Sequence, residues 1–154
     1  MTRKPSIPFP VRIPFVEELG LELHAAADGE SELRVDLTEA HHNAWEVAHG
    51  GVVMTMLDVA MAVAARSRLP DGLAVATIEM KTSFMRPAEG ALRAHGKLLH
   101  KTSQLAFCEA ALHDDHDVLC ATATGTFKIL RALPARGRLM TQTASSPLQP
   151  KEEP

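Results

Sequence analysis

The sequence predicts an α+β domain in which an antiparallel sheet wraps around one long central helix. Two observations lead there. From Gly51 to about Arg68 the residues are helix-compatible with no internal breaker, and LPDG closes the run. On either side lie extended stretches separated by turn-forming clusters, two before the helix and four after it. Apolar residues surround the helix rather than striping one side, so it is expected to be buried on most sides. A sheet folded round it is the simplest cover.

Taken in order, residues 1–14 read as an irregular arm, because four prolines remove donors and fix φ too often for a regular element. PFVEELG then suggests a short helical turn closed by Gly20. LELHAAA and SELRVDL read as a strand pair, with the turn DGE between them. In the second of these Leu33, Val35 and Leu37 alternate with Glu32, Arg34 and Asp36, the pattern of a strand with one wet face. After the helix, AVATIEMKTSF puts Ala76, Ile78, Met80, Thr82 and Phe84 on one face and Thr77, Glu79, Lys81 and Ser83 on the other. ALRAHGKLLHK, QLAFCEAALHD and DVLCATATGTFKIL follow, spaced by the turn signals PAEG, KTS and DDHD. The domain is expected to span 15–131, with a disordered tail over 132–154 that lacks any apolar period.

Composition narrows the function. A chain of 154 residues with net charge −3 and no basic stripe is not expected to bind nucleic acid. The absence of Tyr and the single Trp argue against a base-stacking surface as well. Cys108 and Cys120 lie far apart in no metal-like spacing and read as reduced core residues of a cytoplasmic protein. The opening residues lack a secretory apolar region, and the apolar run from Val52 to Ala65 is shorter than the ~20 residues of a bilayer span.

Within that run stands Asp58. A buried carboxylate is often structural, held by an Arg or by backbone donors. Here the neighbouring helical N–H groups are already used, and Arg66 is two turns away, so the helix offers no partner. Burial raises a carboxyl pKa toward a range useful to a base or nucleophile. At the helix start, His49-Gly50-Gly51 presents unpaired N–H groups at the positive end of the helix dipole. Glycine there lets a ligand approach the backbone, as an oxyanion hole requires. Gly50 and Asp58 are eight positions apart, about 12 Å along a helix, whereas a reacting carbonyl needs both within roughly 3 Å. Two antiparallel copies of the helix would bring Gly50 of one subunit beside Asp58 of the other. The oily helix asks for the same partner.

Asn43, His49, Gly50, Gly51 and Asp58, in the pattern N-x5-HGG-x6-D, resemble the hotdog-fold thioesterases of the PaaI type. TIEMKTSFMRPA is similar to that family's strand after the central helix, and the likeness covers about Phe15 to Leu130. The resemblance implies a sheet wrapped around one helix, assembled into homodimers and usually homotetramers. It implies hydrolysis of acyl-CoA thioesters with aryl or medium-chain acyl groups, CoA being part of the substrate and no cofactor or metal being needed. By position, Asp58 matches the catalytic nucleophile or general base and Gly50 the backbone donor to the thioester oxygen. Asn43 matches the amide that holds the carbonyl or water, His49 the histidine that orients the turn, and Thr77 the hydroxyl near the attacking water. The family often has Gly at the position of Glu46, and the bulky Trp45 precedes it.

A CoA pyrophosphate would reward basic residues, which makes Arg86, Arg93, Lys97, His100 and Lys101 candidates beside Gly51 for substrate binding. His41, His42 and His49 with Asp58 could suggest a metal site, but zinc-hydrolase, serine-hydrolase and P-loop signatures are absent, and His49 cannot join Asp58 on one ion from a single chain. The competing reading is a non-catalytic acyl-CoA sensor on the same fold.

Overall fold

In the computed structural model, described over residues 5–131, six strands form one antiparallel sheet that curves around a single long helix. The short helix α1 (Pro14–Glu18) leads into β1 (Glu22–Ala27) and β2 (Glu30–Asp36). A 3₁₀ turn (Glu39–His41) and a loop precede the long helix α2 (Gly50–Arg66). Strands β3 (Ala74–Phe84), β4 (Ala91–Lys101), β5 (Leu105–His113) and β6 (Leu119–Leu130) complete the chain. The order across the sheet is β1-β2-β4-β5-β6-β3, so the strand after the helix crosses to the far edge. This is the α+β architecture the sequence predicts. The tail expected over 132–154 lies outside the described residues.

Local chemistry explains the breaks between elements. Asp28 and Gly29 both take positive φ, 52° and 83°, as a tight hairpin between right-twisted strands requires. Pro14 opens α1 at a position where its missing N–H costs nothing, and Gly20 ends the segment at φ 63°. From residue 5 on, the arm is irregular but docked, since Ile7 donates its N–H to the Leu23 carbonyl at 2.7 Å and so covers part of the β1 edge.

The core lies between α2 and the concave face of the sheet. Met56, Leu57, Ala60, Met61, Ala64 and Ala65 face inward from the helix and are fully buried against Leu33, Leu92, Leu112 and Phe127. Cys108 and Cys120 are free, buried thiols, and burial pushes the Cys108 thiol up to about 11. Closest approach is at Gly96 of β4: a Cβ there would stand 2.3 Å from the Ala60 carbonyl oxygen. Ser31 of β2 donates its hydroxyl to that same oxygen at 2.7 Å. At the end of the helix, Gly29 N–H donates to Ser67 Oγ at 2.8 Å, tying the first hairpin to its C-terminus.

As expected from sequence, the helix is covered on most sides but not all within one chain: Gly51 and Met54 are exposed and Asp58 is partly so, along one side beside β3. One expectation is corrected: the strict alternation assigned to β3 fails, because the ladder to β6 slips by one residue between Thr77 and Glu79. Ile78 bulges out, 56% exposed, and the strand changes phase around it. Thr77 stands opposite buried Phe127 and Met80 opposite Gly125, so both look toward the helix, as Thr82 and Phe84 do. Thr77 therefore does not share a face with Glu79, Lys81 and Ser83. Among the described residues no helix is long and apolar enough to cross a membrane.

Gly96→Ala is expected to cost about 3 kcal/mol, the upper end for overpacking, because the new methyl meets helix backbone rather than a movable side chain. The midpoint of chemical denaturation measures it.

Candidate active site

The loop before α2 is built around a buried histidine. His41 Nδ1 accepts from the Thr38 N–H at 2.9 Å, and its Nε2 donates to the Leu19 carbonyl at 3.1 Å. Both ring nitrogens are thus committed to fixing the loop on α1, and the His41 carbonyl accepts the His49 N–H at 2.8 Å. Between them a small hairpin is closed by the His42–Ala48 bridge and by Asn43 N–H donating to the Val47 carbonyl at 2.9 Å. At its tip Asn43 Oδ1 accepts the Trp45 N–H at 2.9 Å, which leaves the amide NH₂ of Asn43 as the group able to donate outward. Glu46 takes φ 61°, a left-handed conformation that glycine adopts without strain.

His49 is the N-cap of α2, with φ −60° and ψ 137°. Its Nδ1 accepts from the Gly51 N–H at 2.9 Å, and its carbonyl takes Val52 N–H at 2.9 Å and Val53 N–H at 3.3 Å. Gly50 N–H finds no acceptor among the described residues. Gly51, a candidate for substrate binding from sequence, is placed differently from Gly50. Its N–H is spent on the cap, and a Cβ there would lie 3.1 Å from His49 Nδ1 and crowd it. The open donor is Gly50, over which Phe84 packs its ring, 3.6 Å from where a Cβ would sit. Phe84 is not among the site residues expected from sequence.

Two turns along the helix Asp58 turns toward β3, and Thr77 donates its hydroxyl to Asp58 Oδ1 at 2.8 Å. Burial raises the Asp58 pKa above 3.8, and the Thr77 hydrogen bond opposes that rise only in part. Oδ2 remains to accept a proton or to attack. The bulge at Ile78 is what aims Thr77 at this carboxylate. Met54 of the helix and Ile78, Phe84 and Met85 of the β3 edge are all exposed, so this side of the chain carries an open apolar surface.

The basic candidates do not converge on this site. Lys97 lies on the sheet face away from the helix, in register with Glu30 and Glu109. Arg93 pairs with Asp117, and His100 stacks on Phe107 with ring centres 6.3 Å apart. Arg86 donates to the Leu119 carbonyl at 3.0 Å, so part of its guanidinium braces the chain after β3. Lys101 shares the inward row with Ala106, Phe127 and Thr77, about 14 Å from Thr77 at ~4.8 Å per strand. A concavity of about 730 Å³ opens instead on the far face of the sheet, bordered by Glu32, His95, Lys97 and Glu109. It is remote from the Gly50 donor and Asp58, and convergent chemistry rather than volume marks the site. Among the described residues no group of His, Cys, Asp and Glu could hold a metal ion.

The chain is similar to known thioesterases and esterases. A family model described as the thioesterase superfamily matches residues 46–121. "Putative esterase VNG_1336C" of Halobacterium salinarum is 34% identical over 124 residues, covering 73% of this chain and 82% of that protein. The medium/long-chain acyl-CoA thioesterase YigI of Salmonella typhimurium is 26% identical over 140 residues, covering 79% of this chain and 88% of its own. Among solved structures, the conserved protein PA5202 of Pseudomonas aeruginosa superposes with a TM-score of 0.75 at 29% identity, covering 79% of this chain and 97% of the other. The E. coli PaaI protein from the phenylacetic acid degradation operon shares the fold, with a TM-score of 0.70 at 21% identity, covering 82% of this chain and 87% of its own.

Two outcomes are expected from this geometry. Thr77→Val removes a hydrogen bond that favours the carboxylate, so the Asp58 pKa rises further, read by carbon-13 NMR titration of its carboxyl. Glu46→Gly relieves left-handed strain and raises stability by about 0.5–1 kcal/mol, net of the greater freedom of glycine in the unfolded chain.

Proposed function

This chain belongs to the thioesterase superfamily and is a thioester hydrolase; from that premise we propose that its substrates are acyl-CoAs with aryl or medium-chain acyl groups. The observation that carries the reading is the pairing of an unspent Gly50 N–H at a helix start with a partly buried, Thr77-bonded Asp58 eight residues on. One polarises a carbonyl and the other supplies the base or nucleophile, which is what thioester cleavage asks for. The likeness to an acyl-CoA thioesterase supports CoA as the leaving group.

In the proposed reaction the thioester oxygen sits on the Gly50 N–H, where the positive end of the α2 dipole favours the negative charge that develops. Asp58 Oδ2 either takes a proton from water as the water attacks, or attacks the carbonyl itself to give an anhydride that water then opens. Either route breaks the C–S bond and gives a free acid and CoA thiol. Thr77 steadies Oδ1 and favours its ionised form. The NH₂ group of Asn43 is free to hold the carbonyl or the water, and His49 acts through the turn it caps.

Helix rise separates Gly50 from Asp58 by about 12 Å, so the working site joins Gly50 of one subunit to Asp58 of another. The exposed surface of Met54, Ile78, Phe84 and Met85, beside an edge strand paired on one side only, supports a two-fold contact there. Two such dimers would make the tetramer. Lys101 and the outward part of Arg86 remain candidates for CoA phosphate contacts, whereas Lys97 could serve only a neighbouring subunit's site.

Asp58→Asn is expected to lower turnover on acyl-CoAs by at least ~10²-fold, measured as thiol release, without loss of substrate affinity. Because the folded pKa of Asp58 lies above its unfolded value, its stabilising contribution is present below pH 3.8 and lost as pH rises through the folded pKa. The Asn variant should therefore melt no lower than wild type at neutral pH. Binding without thiol release by the wild type would instead favour a sensor.

Gly50→Pro removes the donor at a helix position that tolerates proline. Mixing it with Asp58→Asn should restore roughly a quarter of wild-type activity, since half the dimers are mixed and each has one intact site. No recovery after verified subunit exchange would sink the shared site.

A further inference from the structure

Among the described residues the single Trp of the chain is the most exposed large apolar side chain, 84% accessible at the tip of the loop hairpin. An indole ring presents ~200 Å² of mostly apolar surface, so a tryptophan left in water forgoes much hydrophobic gain. The backbone beneath it is held firmly. Asn43 donates its N–H to Val47 and spends its side-chain oxygen on the Trp45 N–H, and Glu46 is kept left-handed to complete the turn. Ala48 N–H donates to the Ala88 carbonyl at 2.9 Å, which seats the hairpin on the segment that follows β3. The ring is therefore displayed by a rigid support rather than left on a loose loop.

Chain distance keeps the ring near the open donor. Trp45 stands five residues before Gly50, so their Cα atoms are at most about 17 Å apart, and the fold-back of the hairpin shortens that span. Phe84, itself 54% exposed, has its ring 3.6 Å from where a Gly50 Cβ would sit. The residue carrying the open donor thus has one aromatic ring beside it and a second within reach. We propose that Trp45 is a specificity-determining residue that covers the acyl group of the substrate when its carbonyl rests on Gly50. This rests on the functional reading above and deepens it, by assigning recognition of a large apolar acyl group to the Trp45 hairpin. A short acyl group would end before it met the ring.

Two measurements test the assignment. In thiol-release assays Trp45→Ala should lower kcat/KM for octanoyl- and phenylacetyl-CoA about tenfold or more while leaving acetyl-CoA within twofold. Trp45→Phe, which keeps an apolar ring, should recover most of the loss. A uniform loss across the three substrates overturns the assignment. Independently, a non-hydrolysable octanoyl-CoA thioether titrated into wild type should shift the emission of the lone Trp to shorter wavelength, and CoA alone should not.

An equal response to CoA alone, or calorimetric binding without an emission change, overturns the proposal. So does a shift that follows protein concentration instead of ligand, because it places the ring in a subunit contact. Should the wild type hydrolyse none of the acyl-CoAs, the functional reading falls, and the thioether titration alone still decides for or against Trp45.

Discussion

The rest of the molecule depends on one close contact: the middle of α2 lies on β4 with no side chain between Gly96 and the Ala60 carbonyl. That oxygen already accepts a helical hydrogen bond, and the Ser31 hydroxyl gives it a second from β2. A glycine in a strand forfeits conformational entropy and side-chain packing, and here the return is a helix seated deep in the curve of the sheet. Small residues at Ala60, Ala64 and Ala65 continue the same close approach toward the end of the helix. With the helix seated, its remaining exposed side, including Asp58, is directed toward β3.

That direction explains how a carboxylate is tolerated in an apolar helix. Asp58 is not in the dry interior; it lies at the border between the helix and the edge strand, partly covered and bonded to one hydroxyl. The environment raises its pKa without removing it from reach. Sharing that border, the unspent Gly50 N–H and the open apolar strip form a half-built surface. Such an arrangement is wasteful in an isolated chain and sensible in the proposed dimer, where a second copy covers the strip and completes the two ends of each site.

The lead-in loop shows how much structure supports one backbone donor. Both nitrogens of His41, the side-chain oxygen of Asn43 and Nδ1 of His49 are all given over to holding main chain. None of these groups then reacts as a free base in this arrangement. Their effect is to fix where α2 starts and which of its first N–H groups stays open, and an oxyanion donor acts only from a fixed position.

Much of this was legible in the sequence because it is local. The Asp28-Gly29 hairpin, the apolar run of α2 and the glycine pair at its start announce themselves within a few residues. So does the want of any partner for Asp58 on its own helix. The tertiary structure decided what depends on pairing between distant segments. A one-residue slip against β6 reversed the face assigned to Thr77, since a strand's period of two turns any bulge into an exchange of faces. The register of β4 against β2 and β5 put Lys97 on the face away from the helix. Periodicity records which residues are oily and how they repeat, whereas the phase of a repeat relative to its neighbours is set only when the strands meet.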